Sequence, residues 1–159
     1  MRRAEREVTD ITEITRILTE AQVCRLSLID GEYPYIIPMC FGFDLDGDVL
    51  ELYFHCAEKG KKLDLIKANN HAAFEIDNLK RIVSGDLACS FTADYESITG
   101  IGDIDTINGI EKLTGLNTIM NKYDSGSKEH KYSEQMLNSV VVLKLTVRNF
   151  CCKAHRTEG

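Results

Sequence analysis

The sequence contains no tryptophan and only two prolines. No run of apolar residues approaches the roughly eighteen that a membrane-spanning helix requires. Few prolines and 11 glycines in 159 residues exclude collagen-like and low-complexity chains. Basic residues are in deficit: 19 Lys and Arg face 25 Asp and Glu, for a net charge of −6. That balance argues against general binding to nucleic-acid backbones, which needs a basic surplus. The six cysteines, Cys24, Cys40, Cys56, Cys89, Cys151 and Cys152, form no C-x-x-C pair. Nor do His55, His71, His130 and His155 share a helical spacing, so the three or four ligands of a zinc site are missing and no metal is expected. No apolar stretch follows Met1-Arg2-Arg3, so the expectation is a cytoplasmic protein whose cysteines are free thiols.

What is present suffices for a core. Hydrophobic residues make up 43% of a chain whose length fits one domain, 1–159, with short tails at about 1–9 and 154–159. Three segments have helical periodicity. Asp10 and Glu13 suggest a capping box ahead of Ile11, Ile14, Ile17 and Leu18; a second helix spans about Lys59 to Ala68, with Leu63 and Ile66 inward; a third follows Asn108, with Glu111 near its start and Ile110, Leu113, Leu116 and Met120 recurring. The segment 124–129 reads as a solvated loop.

Elsewhere the period is two. Cys24, Leu26 and Leu28 alternate with polar residues, as do Leu50, Leu52 and Phe54, and later Val141, Leu143, Leu145 and Val147. Further strands are expected over Tyr35–Phe43, Ala72–Ile76, Leu87–Tyr95 and Ser97–Ile107, with a hairpin at Asp30-Gly31-Glu32. Six or seven strands with few helices between them predict a mainly β or α+β fold, an antiparallel sheet curled into a barrel.

Three segments could carry chemistry. In Tyr53-Phe54-His55-Cys56-Ala57-Glu58-Lys59-Gly60-Lys61-Lys62, a strand ends, a glycine turn follows and a helix begins. Free backbone N–H groups and the positive end of the helix dipole meet Lys59, Lys61 and Lys62 there, which suits a phosphate; a solvated helix start is the plainer reading. Neither Gly60-Lys61-Lys62 nor Gly100-Ile101-Gly102 completes a Walker or Rossmann motif. In Tyr33-Pro34-Tyr35-Ile36-Ile37-Pro38-Met39-Cys40-Phe41-Gly42, both prolines interrupt a strand pattern. This predicts an edge strand or a bulge near Pro38, whose free backbone groups could meet a flat ligand. Tyr95, Ser97 and Thr99 form a row of hydroxyls, facing either solvent or a polar cavity. Cys56 beside His55 makes a poor nucleophile pair, because strand neighbours point to opposite faces.

Taken in order, these segments resemble the pyridoxamine 5'-phosphate oxidase-like flavoproteins, and within them the nitroimidazole-resistance (Nim) branch. The resemblance rests on Pro34-Tyr35-Ile36-Ile37-Pro38 before Phe41-Gly42, on Tyr53 to Ala57 before Gly60-Lys61-Lys62-Leu63, on Tyr95-Glu96-Ser97-Ile98 before Gly100 and Gly102, and on Glu111-Lys112. It covers about Asp10 to Lys153 and implies a split β-barrel with about three peripheral helices, dimerising around two FMN molecules. By position, Lys61 and Lys62 would hold the FMN phosphate, with Tyr95 and Ser97 nearby. Pro38, Met39 and Cys40 would run beside the flavin ring, Ala57 would lie against the cofactor, and His55 would touch cofactor and substrate as the catalytic residue. Cys40 stands where relatives often carry Asn. The implied activity is transfer of electrons from a small donor through FMN to a small flat acceptor such as a nitroaromatic, with the His55 imidazole donating a proton or hydrogen bond. The alternative is a flavin- or haem-binding split barrel without catalysis.

Overall fold

Alternating apolar and polar residues draw half the chain into one antiparallel sheet in the computed structural model, which describes residues 3–124 and 130–157. A single helical turn at Ala4–Arg6 leads into β1 (Glu7–Val8), α1 (Ile11–Glu20), β2 (Cys24–Asp30), β3 (Tyr33–Met39), β4 (Gly42–Asp46) and β5 (Val49–Ala57). Then follow α2 (Lys61–Ala68), β6 (His71–Val83), a second helical turn (Ala88–Ser90), β7 (Thr92–Ile107), α3 (Gly109–Tyr123), α4 (Glu134–Ser139) and β8 (Val140–His155). The expected loop 124–129 lies, beyond Asp124, outside the described residues.

The strand order is β3-β2-β6-β7-β8-β5-β4, with β1 added to β8 through Glu7 opposite Lys153 and Val8 opposite Cys152. The two ends of this order, β3 and β4, are joined only by Cys40 and Phe41. Three Cα–Cα steps reach at most about 11 Å, whereas six inter-strand spacings of a flat sheet would put its edges roughly 29 Å apart. The sheet must therefore curl until its ends meet. Among the described residues no ladder joins β3 to β4, so the barrel stays split, as expected.

Inward-facing residues fill it. Leu50, Leu52, Phe54, Leu143 and Leu145 are fully buried, and α1 and α2 add Ile14, Ile17, Leu18, Leu63 and Ile66 to the same core. Each large apolar side chain removed from water contributes about 1.5–3 kcal/mol before entropy is counted. A second, smaller core lies on the other face of β5. There Tyr53 and Val142 are covered by Leu116 and Ile119 of α3, with Tyr132, Leu137 and Val140 packed alongside. Gly42 is required for that layer, since a Cβ there would sit 2.6 Å from backbone atoms of Thr118 and Ile119. No helix among the described residues is long and apolar enough to cross a membrane.

Several local expectations change. Tyr35–Phe43 is two strands, broken at Cys40-Phe41 rather than near Pro38, because Phe41 turns fully inward while Pro38 is tolerated on the edge strand β3. Leu87–Tyr95 and Ser97–Ile107 are replaced by the single strand β7. Leu87 instead begins a turn closed by its N–H to Ser90 Oγ at 3.1 Å. Helix α2 starts at Lys61, after Gly60 at φ +148°. Only half the capping box forms: Glu13 N–H donates to Asp10 Oδ1 at 3.0 Å, while the Glu13 carboxylate turns to Arg16 and Arg156. Glu7 and Val8, placed in a tail by sequence, are paired. Helix α4 has no counterpart among the expected elements.

Candidate functional site

The split leaves two strand edges open. Among the described residues β3 pairs with β2 alone, and β5 pairs with β4 only from Val49 to Tyr53. From Phe54 to Ala57, β5 therefore has β8 on one side and no strand on the other. Gly42 lies opposite Tyr53 and is three residues from Met39, so the open edge of β3 runs beside the open end of β5. Such edges carry backbone N–H and C=O groups without ladder partners.

Helix α2 closes the slot. The Lys61 ammonium lies 2.5 Å from Asp30 Oδ2 and 4.9 Å from the centre of the Tyr35 ring, which ties the helix start to the β2–β3 hairpin. The Asp30 hydrogen bond raises the Lys61 pKa. Lys62, half-buried, makes no ion pair among the described residues. Gly60 offers no side-chain cap, so the first N–H groups of α2 add to the cation there. Pro38 and Cys40 are exposed, Met39 points into the core, and His55 and Ala57 are exposed at the end of β5. Cys56, by contrast, is buried on the opposite face from His55, and burial pushes its thiol pKa up.

The link from β3 to β4 is firmly held. Phe41 N–H donates to Tyr123 Oη at 3.1 Å, and the Tyr123 hydroxyl donates to Gln22 O at 2.7 Å. The Lys122 ammonium sits 4.6 Å from the Phe41 ring centre and donates to the carbonyls of Thr19 and Ala21. Burial lowers the Lys122 pKa and pushes that of Tyr123 up to about 12.

His55 also borders a cavity of about 160 Å³ between β5, α3 and α4, lined by Leu116, Ile119, Met120, Tyr132, Met136, Leu137 and Val140. Helix α4 supplies one wall, and the sequence reading missed it. Its signals are short: Ser133 caps it by accepting Met136 N–H at 3.2 Å, and Met136, Leu137 and Val140 recur at helical spacing.

Tyr95 and Ser97 are elsewhere. They share one half-buried face of β7 with the more exposed Thr99, opposite His155, Lys153 and Cys151 of β8. His55 lies opposite Val142 of the same β8 strand. From residue 142 to 153 the strand runs about 35 Å, so one chain does not bring His55 and Ser97 to one ligand. Tyr95 stacks on His155 with ring centroids 6.0 Å apart and accepts a hydrogen bond from Arg6 Nη1 at 3.1 Å. Its neighbours Asp94 and Glu96 point inward and anchor the C-terminal segment. Arg81 and Thr157 hold the Asp94 carboxyl down to about 2, and Arg16 and Arg156 do the same for Glu13. Burial pushes Glu96 up, but Arg156, Arg16 and Lys80 outweigh it and leave its pKa lowered. On the same side of the sheet, Ile36, Ser27, Ala73 and Ile101 form one cross-strand row, with Ile36 and Ile101 more than half exposed. Among the described residues, no three His, Cys, Asp or Glu gather to hold a metal.

A family model described as pyridoxamine 5'-phosphate oxidase matches residues 10–153. Compared with curated proteins, the sequence has no match. A solved structure from Bacteroides thetaiotaomicron VPI-5482, described provisionally as a 5-nitroimidazole antibiotic resistance protein, is similar at 27% identity. Its TM-score is 0.78, over 93% of this chain and 86% of that one. An FAD- and haem-binding protein from Mycobacterium smegmatis has TM-score 0.81 at 19% identity, over 96% of this chain and 74% of its own. A flavocytochrome from Azotobacter vinelandii has TM-score 0.79 at 16% identity, over 99% and 72%. These last two likenesses are of fold.

Proposed function

The chain belongs to the pyridoxamine 5'-phosphate oxidase family, and from that premise we propose that it is an FMN-dependent oxidoreductase that reduces small flat acceptors, nitroaromatics among them. The observation that carries this reading is the slot itself: two unpaired strand edges converge on the start of α2, where Lys62 has no ion-pair partner among the described residues. These residues fit FMN. Lys62 and the first N–H groups of α2 suit its phosphate, with Lys61 joining if it exchanges Asp30 for that anion. The edge backbone of Pro38, Met39 and Cys40 suits the polar rim of a flat ring, and Ala57 leaves room beside it. When bound, FMN supplies electron and hydride transfer between a donor and an acceptor.

The protein contributes orientation and proton supply. The Phe41–Tyr123–Gln22 hydrogen bonds fix the β3–β4 link, so the ring-facing backbone is preorganised. The His55 imidazole stands between the slot and the apolar cavity, where a ring N–H can donate to an acceptor substituent. The similarity to the Bacteroides protein supports a nitroaromatic acceptor. We further propose a homodimer. The row through Ile36, Ala73 and Ile101 provides an apolar face, and a second copy would bring Tyr95 and Ser97 of one chain towards the slot of the other.

The test is a visible absorption spectrum of the purified protein with its released cofactor identified, followed by turnover with a nitroaromatic. Flavin near one FMN per subunit and measurable reduction are expected. His55→Ala should lower turnover more than flavin content. A haem band, or flavin without turnover, would favour a binding protein. A colourless protein that takes up no added FMN would overturn the reading.

A further inference from the structure

We infer that the cavity beside His55 seats a single uncharged aromatic ring and rejects phosphorylated ones, so that pyridoxamine 5'-phosphate, which the family's namesake reaction oxidises, is not a substrate of this protein. The inference deepens the proposed oxidoreductase reading and rests on it for the ring's chemical fate, though not for its binding.

Size is the first argument. The cavity measures about 160 Å³, and an apolar protein cavity of roughly 150 Å³ holds one benzene molecule. One five- or six-membered ring fills it, and any larger group must extend past the exposed rim at Met136.

Charge is the second. Among the described residues no Lys or Arg lines the cavity. The nearby cation, Lys112, is turned away: its ammonium donates at 2.7 Å to the carbonyl oxygens of both Leu137 and Val140. The Tyr132 hydroxyl is likewise engaged, donating to Asn117 Oδ1 at 2.9 Å. A phosphate entering here would lose its water and gain no cation, which is strongly unfavourable. A neutral ring meets leucine, isoleucine and the thioethers of Met120 and Met136, which pack adaptably against aromatic faces. Among the described residues, His55 is the one titratable side chain on the wall besides Tyr132, and it is available to bond a ring substituent.

The experiment compares 4-nitrobenzyl alcohol with 4-nitrobenzyl phosphate, which differ in the phosphate alone, by calorimetry on the protein as purified, with and without added FMN. The alcohol should bind at least tenfold more tightly. Leu137→Phe, which fills the cavity, should weaken alcohol binding at least tenfold and leave flavin per subunit unchanged. Should that variant fail to fold, Met136→Lys at the exposed rim decides: a cation there should narrow the preference for the alcohol several-fold. Equal or tighter binding of the phosphate ester overturns the inference, as does alcohol affinity indifferent to Leu137→Phe or, should that variant not fold, a preference unmoved by Met136→Lys. Ring binding by protein that takes up no flavin would overturn the oxidoreductase reading alone, while flavin-loaded protein blind to the ring would overturn the cavity assignment alone.

Discussion

The ammonium of Lys112 lies 2.7 Å from the carbonyl oxygen of Leu137, twenty-five residues further along the chain, and equally close to that of Val140. One side chain of α3 thereby satisfies two carbonyls at the end of α4, a helix of six residues too short to persist on its own propensity. The cavity wall beside His55 depends on this anchor. Lys112→Met keeps the aliphatic stem and deletes the bonds. It should lower the unfolding free energy by about 1–3 kcal/mol, the range for charge-assisted hydrogen bonds. In turnover assays the acceptor KM should rise roughly threefold to tenfold with kcat nearly unchanged, the mark of lost positioning. Unaltered KM would remove Lys112 from that role.

Lys61 and Lys62 are adjacent yet unequal. Lys61 is engaged by Asp30, whereas Lys62 has no ion-pair partner among the described residues. Lys62→Ala should weaken FMN binding by roughly tenfold or more, as expected for one charge-assisted phosphate contact, and Lys61→Ala by less. Dialysis followed by flavin quantification reads both, and equal losses would contradict the assignment.

Gly42→Ala tests the seam between β4 and α3. The added methyl would stand 2.6 Å from backbone atoms of Thr118 and Ile119, which cannot rotate away. A loss of about 1–3 kcal/mol in urea denaturation is expected from such overpacking.

Acid should weaken the C-terminal anchor. The folded-state carboxyls of Glu13 and Asp94 both lie near 2, below their ordinary values of 4.5 and 3.8. A depressed carboxyl contributes stability above its ordinary pKa and loses it as pH falls towards the folded value. Urea midpoints should therefore decline from about pH 4.5 to 2, and Asp94→Asn should make that decline shallower. A flat profile in the parent protein would argue against the anchor.

Much of this architecture is legible in the residues. Strict alternation in Leu50–Phe54 and Val141–Val147 announces the two strands that pair in register, Leu52 with Leu145 and Phe54 with Leu143. The chemistry-bearing turn from His55 to Lys62 is equally local: the end of β5 and the start of α2 fall within eight consecutive residues, and Pro38, Met39 and Cys40 lie at the end of β3 and in the link that follows it. What escaped detection depends on distant partners. Glu96 interrupts the apolar rhythm of β7 and reads as a strand end, yet Arg16, Lys80 and Arg156 let it stay buried inside an unbroken strand. The break between β3 and β4 is set by Phe41 packing inward under Lys122 and Tyr123, eighty residues away in sequence. Helix α4 exists because Lys112 and the second core hold it, and its local signals, a serine cap and one turn of apolar spacing, are too short to announce it alone.

The position of β8 bears on how the chain is made. It follows the other seven strands in the chain, yet it sits inside the strand order, between β7 and β5. Until it emerges from the ribosome, the nascent protein can form a four-stranded piece, β3-β2-β6-β7, and a separate hairpin, β4-β5, each with an unpaired edge. Closure waits for residues 140–155 to slide between them and pair with three strands at once. Closure thus waits on β8, and the interval before β8 docks is when exposed edges are most open to pairing with a neighbouring chain.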